Sequence, residues 1–562
     1  MLLKEDVVKV LGDVGIKNAE NFLEVPPHSE FGDLSFTCFD LAKKEKRNPK
    51  EIAEGIAKKI KIPKTSLISK VEAKAGYVNF FFDWEKFSES FLKNVKEGIK
   101  LDIGKGEKIM VEYSQPNPIH PMHIGHSRGT LLGEALSKIF DSLGYKTIRA
   151  NYMNNVGLQV AKLVTAYNTW AKDKKPEGKP DLWLWQYYVR FHEEATNNPK
   201  LEEEARENLR KFEIEEEKKT IKVWNQIIKW CMEGFEQTYK RLGINFDVYF
   251  FESDFRASGK KIVENALKKN VAFTSSEGTV VSNLEKYDMP NFVLLRSDGT
   301  GLYQTSDLGL TVYKFEKYKL SKSVWVVSSQ QLLYFKQLFK VLELLKYPWI
   351  KNSHHFSFEH VVLPEGKMSS REGRAVMLDD VVDKLVELAY KEVDKRNPKL
   401  SQKEKQKLSE IIGIGALKYS ILKIEPENQI TFDWKQMLSF EGNTGPYVQY
   451  AHTRCKGILK KASKWKPNFK AEKLSEAEKQ LVKVLSRFSE VVEQSAKDFR
   501  PHYICNYVYE LATSLDKFYE SCPVLKAGSE ELKNFRLTLV DATRIVLENS
   551  LNLIGIEVPE KM

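Results

Sequence analysis

Glu112-Tyr113-Ser114-Gln115-Pro116-Asn117-Pro118-Ile119-His120-Pro121-Met122-His123-Ile124-Gly125-His126 is the stretch whose reading decides the fold. Lys108 to Tyr113, leading into it, is a short β-forming run, and Ser114 to Pro121 is a proline-rich turn. From Met122 to Leu143 apolar residues recur at Ile124, Leu131, Leu132, Ala135, Leu136, Ile139, Phe140 and Leu143, the 3.6-residue helical period. Gly144 stops the helix, and Thr147 to Tyr152 reads as a second strand. Strand, turn, helix, strand predicts the opening of a doubly wound, Rossmann-type α/β domain, whose ligands sit beyond the carboxyl ends of the strands. His123 and His126, spaced i, i+3, fall on one face of the first helical turn. Helix-start N–H groups favour an anion there, and Gly125 leaves room for a flat ring to approach the backbone. Together these make a cradle for ATP. The alternative is a pair of capping or metal-binding histidines, and metal binding is disfavoured by the lack of a carboxylate or cysteine ligand in the same turn.

Working outward, residues 1–100 read as a small α+β domain, with helical spacing over Lys50 to Ile60 and a strand at Val78 to Phe82. The charged stretch Lys96 to Glu107 reads as a linker. The catalytic α/β domain is expected over 101–400. It has a helical insertion near 165–245, rich in Trp and charge, and a second insertion near 255–295. Strands return at Phe292 to Leu295 and Ser323 to Val327, followed by a helix from Gln330 to Leu345. Residues 401–562 are read as an all-α bundle.

Composition narrows the function classes. The 562 residues are 42% hydrophobic and 29% charged, a globular composition, and no apolar run approaches the roughly 18 residues of a membrane span. Met1 to Leu11 is amphipathic, unlike a secretion signal. The five cysteines are odd in number and scattered, which argues against a disulfide framework or structural zinc and for a cytoplasmic location. The net charge of +11 permits a polyanionic partner. Residues 451–470 hold seven basic residues and no acidic ones, and residues 43–64 hold nine against three. Each run alone reads as a solvated helix face, whereas two such regions flanking a catalytic centre would hold a long nucleic acid at two places.

A second chemical element lies downstream. Lys367-Met368-Ser369-Ser370-Arg371-Glu372-Gly373-Arg374 combines small hydroxyls with bracketing cations, suited to a clamp on a polyphosphate; taken alone it would read as a solvated turn. The histidine motif and this loop, about 240 residues apart, strongly resemble the two signatures of class I aminoacyl-tRNA synthetases. Glu112 to Asn117, Pro121 to Arg128, Ser297 to Asp307, Ser328 to Gln331 and Leu438 to Arg454 resemble the arginyl-tRNA synthetase family more closely. So do Phe31-Gly32-Asp33, similar to the family's N-terminal tRNA-contacting domain, and Asp541-Ala542-Thr543-Arg544, similar to the Asp-Ala-Leu-Arg signature of its anticodon-binding bundle. The likeness runs in order along nearly the whole chain.

The resemblance implies an enzyme that activates L-arginine with Mg²⁺-ATP and transfers it to the terminal adenosine of its tRNA, with activation dependent on bound tRNA. It implies ATP contacts at His120, His123, Gly125, His126, Lys367, Met368, Ser369, Ser370 and Arg371. His123, Gly125, His126 and Lys367 would be the catalytic set. Arginine contacts are implied at Asp307, Tyr303 and Gln331 for the guanidinium, and at Asn117, Gln115, Pro116 and His126 for the amino-acid end. Glu112 would be a second acidic contact or would order the site. The tRNA contacts implied are Phe31, Gly32, Asp33, Tyr447, Gln449, Tyr450, Arg454, Lys460, Lys461 and Lys464. No resident metal, no membrane and a monomer are expected. The physical reading agrees, because a guanidinium is best held by a carboxylate. Asp307, four residues after Tyr303, would share a pocket with it on a helical first turn; taken alone, Asp307 would read as a helix N-cap.

The sequence departs from the family's pattern at four places. Ser370 stands where the class loop has its second lysine, His120 where a compensating lysine precedes the histidine motif, Glu372 where a lysine often follows the Ser-Arg pair, and Asn154-Asn155 where an Asn-Asp pair is frequent. The first three leave Lys367, Arg371 and Arg374 as the cations for the triphosphate. A cysteine-specific enzyme of the class would need a Cys/His zinc set that the five cysteines do not supply. A non-catalytic tRNA-binding relative would have lost the histidine motif or pocket residues, and a stand-alone nucleotidylyltransferase would not need the helical bundle.

Overall fold

The computed structural model describes residues 2–362, 376–431 and 434–562. At its centre five parallel strands form one sheet: β1 (Lys108–Glu112), β2 (Lys146–Met153), β3 (Val248–Phe251), β4 (Lys322–Ser328) and β5 (Ser353–Phe358). Their spatial order is β5-β4-β1-β2-β3. The two-residue period of a strand splits β1 between two cores. Ile109 and Val111 pack with Val324 and Val326 on one face, while Met110 joins Ala150, Phe250 and Trp325 on the other. Strand order reverses between β1 and β4, so the crevice of a doubly wound sheet opens above their carboxyl ends. The histidine motif lies there, at the start of the helix Ile124–Ser142.

Two crossovers carry the additional structure. Between β2 and β3 run four helices, Leu158–Trp170, Pro180–Ala195, Lys200–Glu213 and Lys218–Arg241. Between β3 and β4 come the helix Glu252–Lys268, a three-stranded antiparallel sheet (Phe273–Thr274, Val280–Ser282, Phe292–Leu295) and the helix Tyr303–Tyr318. The helices Glu252–Lys268 and Tyr303–Tyr318 meet backbone to backbone. A Cβ on Gly259 would sit 1.9 Å from the Thr305 carbonyl oxygen, and one on Gly309 2.7 Å from the Gly259 nitrogen. That close approach fixes the helix that carries Tyr303 and Asp307.

The N-terminal residues form a four-stranded antiparallel sheet in the order Leu23–Glu24, Leu34–Thr37, Tyr77–Phe82, Ile68–Lys74. The helix Trp84–Glu97 runs into the stretch read as linker and stops at Gly98, φ 97°. From Leu378 onward the described chain is helical apart from the short pairing of Ile430–Thr431 with Val361–Val362, and it ends in Glu530–Leu553. All five cysteines are buried and unpaired. Among the described residues no helix is long and apolar enough to cross a membrane.

The N-terminal sheet docks on the C-terminal bundle through Asp33. Its carboxylate accepts the Phe82 N–H at 2.9 Å and the Trp84 indole N–H at 3.0 Å, and pairs with Lys483 at 2.6 Å. Gly32 before it has φ 104°, and a Cβ there would meet the Phe80 carbonyl oxygen at 2.9 Å. The tRNA contacts expected of Gly32 and Asp33 therefore do not fit: one is buried backbone and the other is spent inside the protein. Asp541 of the Asp-Ala-Thr-Arg motif is likewise structural, accepting Lys96 at 2.5 Å and Arg544 at 3.0 Å. Removing a buried carboxylate strands three donors. Asp33→Ala is expected to cost about 2–4 kcal/mol of stability, read as a lower denaturation midpoint with earlier proteolysis within residues 1–100. An unchanged midpoint would show that the docking does not depend on this carboxylate.

Candidate active site

The turn after β1 is strained and pinned. Ser114 (φ 76°) and Gln115 (φ 49°) are successive non-glycine residues in the left-handed region, each costing about 1–3 kcal/mol unless its surroundings hold it. The Ser114 hydroxyl bonds the Thr130 and Tyr239 hydroxyls, both at 2.7 Å. The Gln115 N–H donates to Asn151 at 3.2 Å, and its side-chain amide to Glu112 at 2.8 Å. This turn points the chain across the crevice and into the histidine motif.

His123 is the N-cap of its helix. Its Nδ1 accepts the Gly125 N–H at 3.1 Å, and the His126 Nδ1 accepts the His123 N–H at 3.1 Å. A neutral imidazole that accepts at Nδ1 carries its proton on Nε2. Burial depresses both rings' basicity, His123 to about 4 and His126 well below the usual value, so both are neutral near pH 7. The motif therefore presents two N–H donors beside a helix start. The two rings are stacked with centroids 3.8 Å apart, and His120 packs at 5.5 Å from each. His120 is the opposite tautomer: its Nδ1 donates to the Pro121 carbonyl oxygen at 3.0 Å, leaving a lone pair on Nε2. Burial lowers its pKa as well. In this tautomer His120 offers a phosphate no donor and no charge, so the ATP contact expected of it becomes packing against the two motif rings. The three rings bring ligand nitrogens within 4.8 Å of one another. A metal would require His123 and His126 to surrender their capping bonds, because their Nε2 atoms are protonated.

Arg128 locks this helix in place. It is fully buried and donates to the carbonyl oxygens of Glu359, Asn428 and Glu425 at 2.7–2.8 Å. Ile124 and Leu378 exchange backbone bonds with Val376 and Met122. Lys367, Met368, Ser369, Ser370 and Arg371 lie outside the described residues.

The second half of the site is a cavity of about 360 Å³ lined by Glu112, Gln115, Tyr152, Tyr303, Asp307, Gln331 and Tyr334, with Trp325 and Leu338 among its apolar walls. Tyr303 opens the helix Tyr303–Tyr318, so Asp307 lies one turn in and is not its N-cap. The Tyr334 hydroxyl donates to Asp307 Oδ2. Oδ1 is buried without a partner, as is the Tyr152 hydroxyl. Burial raises the Asp307 carboxyl to about 6, against the Tyr334 hydroxyl that bonds it and the nearby Tyr152 hydroxyl, which pull it down without making up for the missing donor at Oδ1. A half-satisfied buried carboxylate in an aromatic cavity awaits a cation with hydrogen-bond donors. Tyr303 and Gln331 form the exposed side of the cavity.

Sequence reasoning missed three participants: Tyr152, Tyr334 and Lys314. Lys314 is completely buried and pairs with Glu112. With Gln115 on its other oxygen, Glu112 is committed inside the protein, so its expected role as an arginine contact gives way to ordering the site. Asn117 is exposed and Pro116 buried beside the turn. A separate, larger cleft of about 1250 Å³ carries Glu213, Glu216, Glu233, Glu236 and Asp254 together with Lys229, Arg256 and Lys260.

On the bundle, Gln449 is buried and donates to the carbonyl oxygens of Ile411 (3.2 Å) and Glu557 (2.8 Å), which corrects its expected contact with nucleic acid. Tyr447 donates to Asp516, and Arg454 pairs with Asp516 at 2.6 Å while lying over Tyr519. Tyr450, Lys460, Lys461 and Lys464 are exposed. Phe31 lies under the Lys74 ammonium, 4.3 Å from its ring centre.

Three family models match in succession: the arginyl tRNA synthetase N terminal domain over residues 1–82, the catalytic domain of the class I (R) tRNA synthetases over 88–434, and the DALR anticodon binding domain over 448–562. The chain is 37% identical over 566 residues to the arginine–tRNA ligase of Clostridium acetobutylicum, covering 100% of this chain and 99% of that one. It is 38% identical to that of Clostridium perfringens, covering 98% and 97%. The Thermus thermophilus arginyl-tRNA synthetase structure superposes with a TM-score of 0.84 at 27% identity, covering 100% of both chains. A donor-rich helix start, a cation-seeking acidic cavity beside it and full-length likeness in three consecutive domains agree: the chain belongs to the arginyl-tRNA synthetase family, within class I.

Proposed function

We propose that this protein activates L-arginine with ATP and transfers it to the terminal adenosine of its tRNA. The observation that carries the arginine reading is Asp307, whose buried Oδ1 lacks a donor in a cavity sized for an amino-acid side chain. Asp307 takes the guanidinium, with Tyr303 and Gln331 closing the cavity's exposed side. Asn117, the Gln115-Pro116 backbone and His126 hold the amino-acid end. The arginine carboxylate attacks the α-phosphate, and pyrophosphate leaves. The 2′-hydroxyl of the terminal adenosine then attacks the acyl carbon of the arginyl-adenylate, losing its proton as the acyl–phosphate bond breaks and AMP leaves. The His123 and His126 N–H groups and the helix start, with Gly125 bare between them, stabilise charge on the reacting phosphates. Mg²⁺ enters with ATP, and Lys367 to Arg371 are assigned to the β- and γ-phosphates on the sequence motif. The protein supplies positioning and charge, and no covalent nucleophile is needed. We further propose a monomer working in the cytoplasm. Arginine-dependent exchange of pyrophosphate into ATP, with and without tRNA, tests the activation step, and arginine esterified to the tRNA tests the transfer. Absence of exchange with arginine and tRNA together would overturn the reading.

Binding of tRNA is assigned to Phe31 and Lys74 at one end and to Tyr450, Lys460, Lys461 and Lys464 at the other. The three lysines are exposed. Each phosphate contact contributes about 0.9 to the slope of log affinity against log salt on duplex and about 0.7 on single strands. Neutralising all three lysines is therefore expected to flatten the slope by roughly 2–3 and weaken tRNA binding, with the arginine KM at saturating tRNA unchanged. An unchanged slope would return this run to an ordinary solvated surface.

A further inference from the structure

Lys314 is a cation that the reaction as described does not use. Its side chain is 0% exposed. The ammonium pairs with Glu112 and lies 4.7 Å from the Trp325 ring centre and 5.6 Å from that of Phe250. The other Glu112 oxygen accepts the Gln115 amide. Glu112 is the last residue of β1 and lines the cavity, while Lys314 lies two turns beyond Asp307 on the same helix. A buried ion pair is seldom kept for stability, since well-packed apolar residues of like volume serve as well or better. Its place beneath a ligand cavity calls for another reason.

We propose that Lys314 is a positioning and specificity residue for arginine: by neutralising Glu112 it leaves Asp307 as the cavity's one net negative charge, matched to a single guanidinium. The inference rests on the cavity being the arginine site. The titratable and charged groups around Asp307 are Tyr303 on its own helix, Tyr152 from β2, Tyr334 from the helix Leu332–Leu344, Glu112 from β1, Glu252 from the helix Glu252–Lys268, and Lys314. Of these only Lys314 is a cation. Burial holds the Asp307 proton most strongly. The two hydroxyls loosen it, Glu112 tightens it and Lys314 loosens it. Without Lys314, Glu112 acts on Asp307 uncompensated, the Asp307 carboxyl moves further up, and an arriving guanidinium meets its protonated form more often.

The experiment is arginine-dependent pyrophosphate exchange at saturating ATP and tRNA, as a function of pH, in Lys314→Met, Lys314→Arg and Lys314→Met/Glu112→Gln, with Asp307→Ala as the control for the cavity. In the unaltered protein kcat/KM for arginine should fall as pH drops through the Asp307 value near 6. Lys314→Met should move that fall to higher pH and raise the arginine KM at neutral pH by roughly 10-fold or more, with a smaller change in kcat. The double variant, neutral at both positions, should move the midpoint back, and Lys314→Arg should leave it in place. Lys314→Gln keeps a hydrogen bond to Glu112 without the charge; it replaces methionine if that variant does not fold, and must show the same shift. An unshifted midpoint in both charge-removing variants, or equal impairment of the single and double variants, overturns the proposal while the arginine site stands. Normal arginine KM in Asp307→Ala would instead remove the cavity as the arginine site, and the proposal with it.

Discussion

Asp307→Ala is expected to lower kcat/KM for arginine by roughly 10²- to 10⁴-fold, the consequence of leaving a desolvated guanidinium without its carboxylate at about 3–5 kcal/mol. The KM for ATP should change far less, because the cavity that holds Asp307 is not lined by His123 or His126. Asp307→Asn separates charge from shape. It can still accept the Tyr334 hydroxyl and fills the same volume, so it should fold as the parent does, yet lose nearly as much arginine activation as alanine. The carboxylate's position accounts for the selectivity implied. A side chain of similar length without N–H donors leaves Oδ1 buried and unsatisfied. A lysine side chain brings charge but a single-point ammonium where a planar fork fits best. Near-normal arginine turnover in either variant would remove Asp307 from the pocket and leave the acidic cavity without a ligand.

The frame of this site was legible in the sequence because it is local. The β1–turn–helix unit announces itself through a short β-forming run giving way to a 3.6-residue period across a proline-rich turn, and the structure places Lys108–Glu112 and Ile124–Ser142 there. Tyr303 and Asp307 were legible for the same reason, being one turn apart on one helix. What pairs with them was not. Lys314 stands in a helix that also carries Lys317, and it reads as another solvated cation. Only packing of that helix on β1 buries it against Glu112, 202 residues earlier. Tyr334 reaches Asp307 from a different crossover, and Asp33 finds Lys483 450 residues away. Gln449 is the opposite case. Its polar, aromatic neighbourhood reads as a nucleic-acid surface, but its helix turns it inward onto two carbonyl oxygens. One signal for Lys314 was available: it lies seven residues after Asp307, hence on the same helical face, and that face includes Leu310 and Thr311, both buried. The tautomers of the histidine motif were beyond sequence reasoning, since they depend on which backbone groups each Nδ1 meets.

Those tautomers give the histidine motif two separable duties and hence a prediction with opposed readouts. In His126, Nδ1 accepts the His123 N–H and holds the helix start, while Nε2–H is the donor proposed for the phosphates. His126→Ala removes both. The adenylation rate constant in single turnover should fall by roughly 10²- to 10³-fold, as when other preorganised donors are deleted, with about 1 kcal/mol of stability lost along with the cap. Asparagine places a polar atom near Nδ1 and none near Nε2, whereas glutamine places its amide near Nε2. Ordered by thermal stability, His126→Asn should therefore exceed His126→Gln; ordered by adenylation rate, His126→Gln should exceed His126→Asn. The donor is a neutral imidazole, held neutral by burial, so the rate should carry no titration of this ring near pH 7, and glutamine, which cannot ionise, should preserve the shape of the pH profile. A merely structural His126 would make rate follow stability, with asparagine the faster variant. That result would move charge stabilisation away from the motif and onto the cations of the Lys367 to Arg374 segment. If instead the two orders cross, His123→Gln and His123→Asn should cross in the same way, because His123 uses its Nδ1 on the Gly125 N–H and leaves its own Nε2–H for the same phosphates.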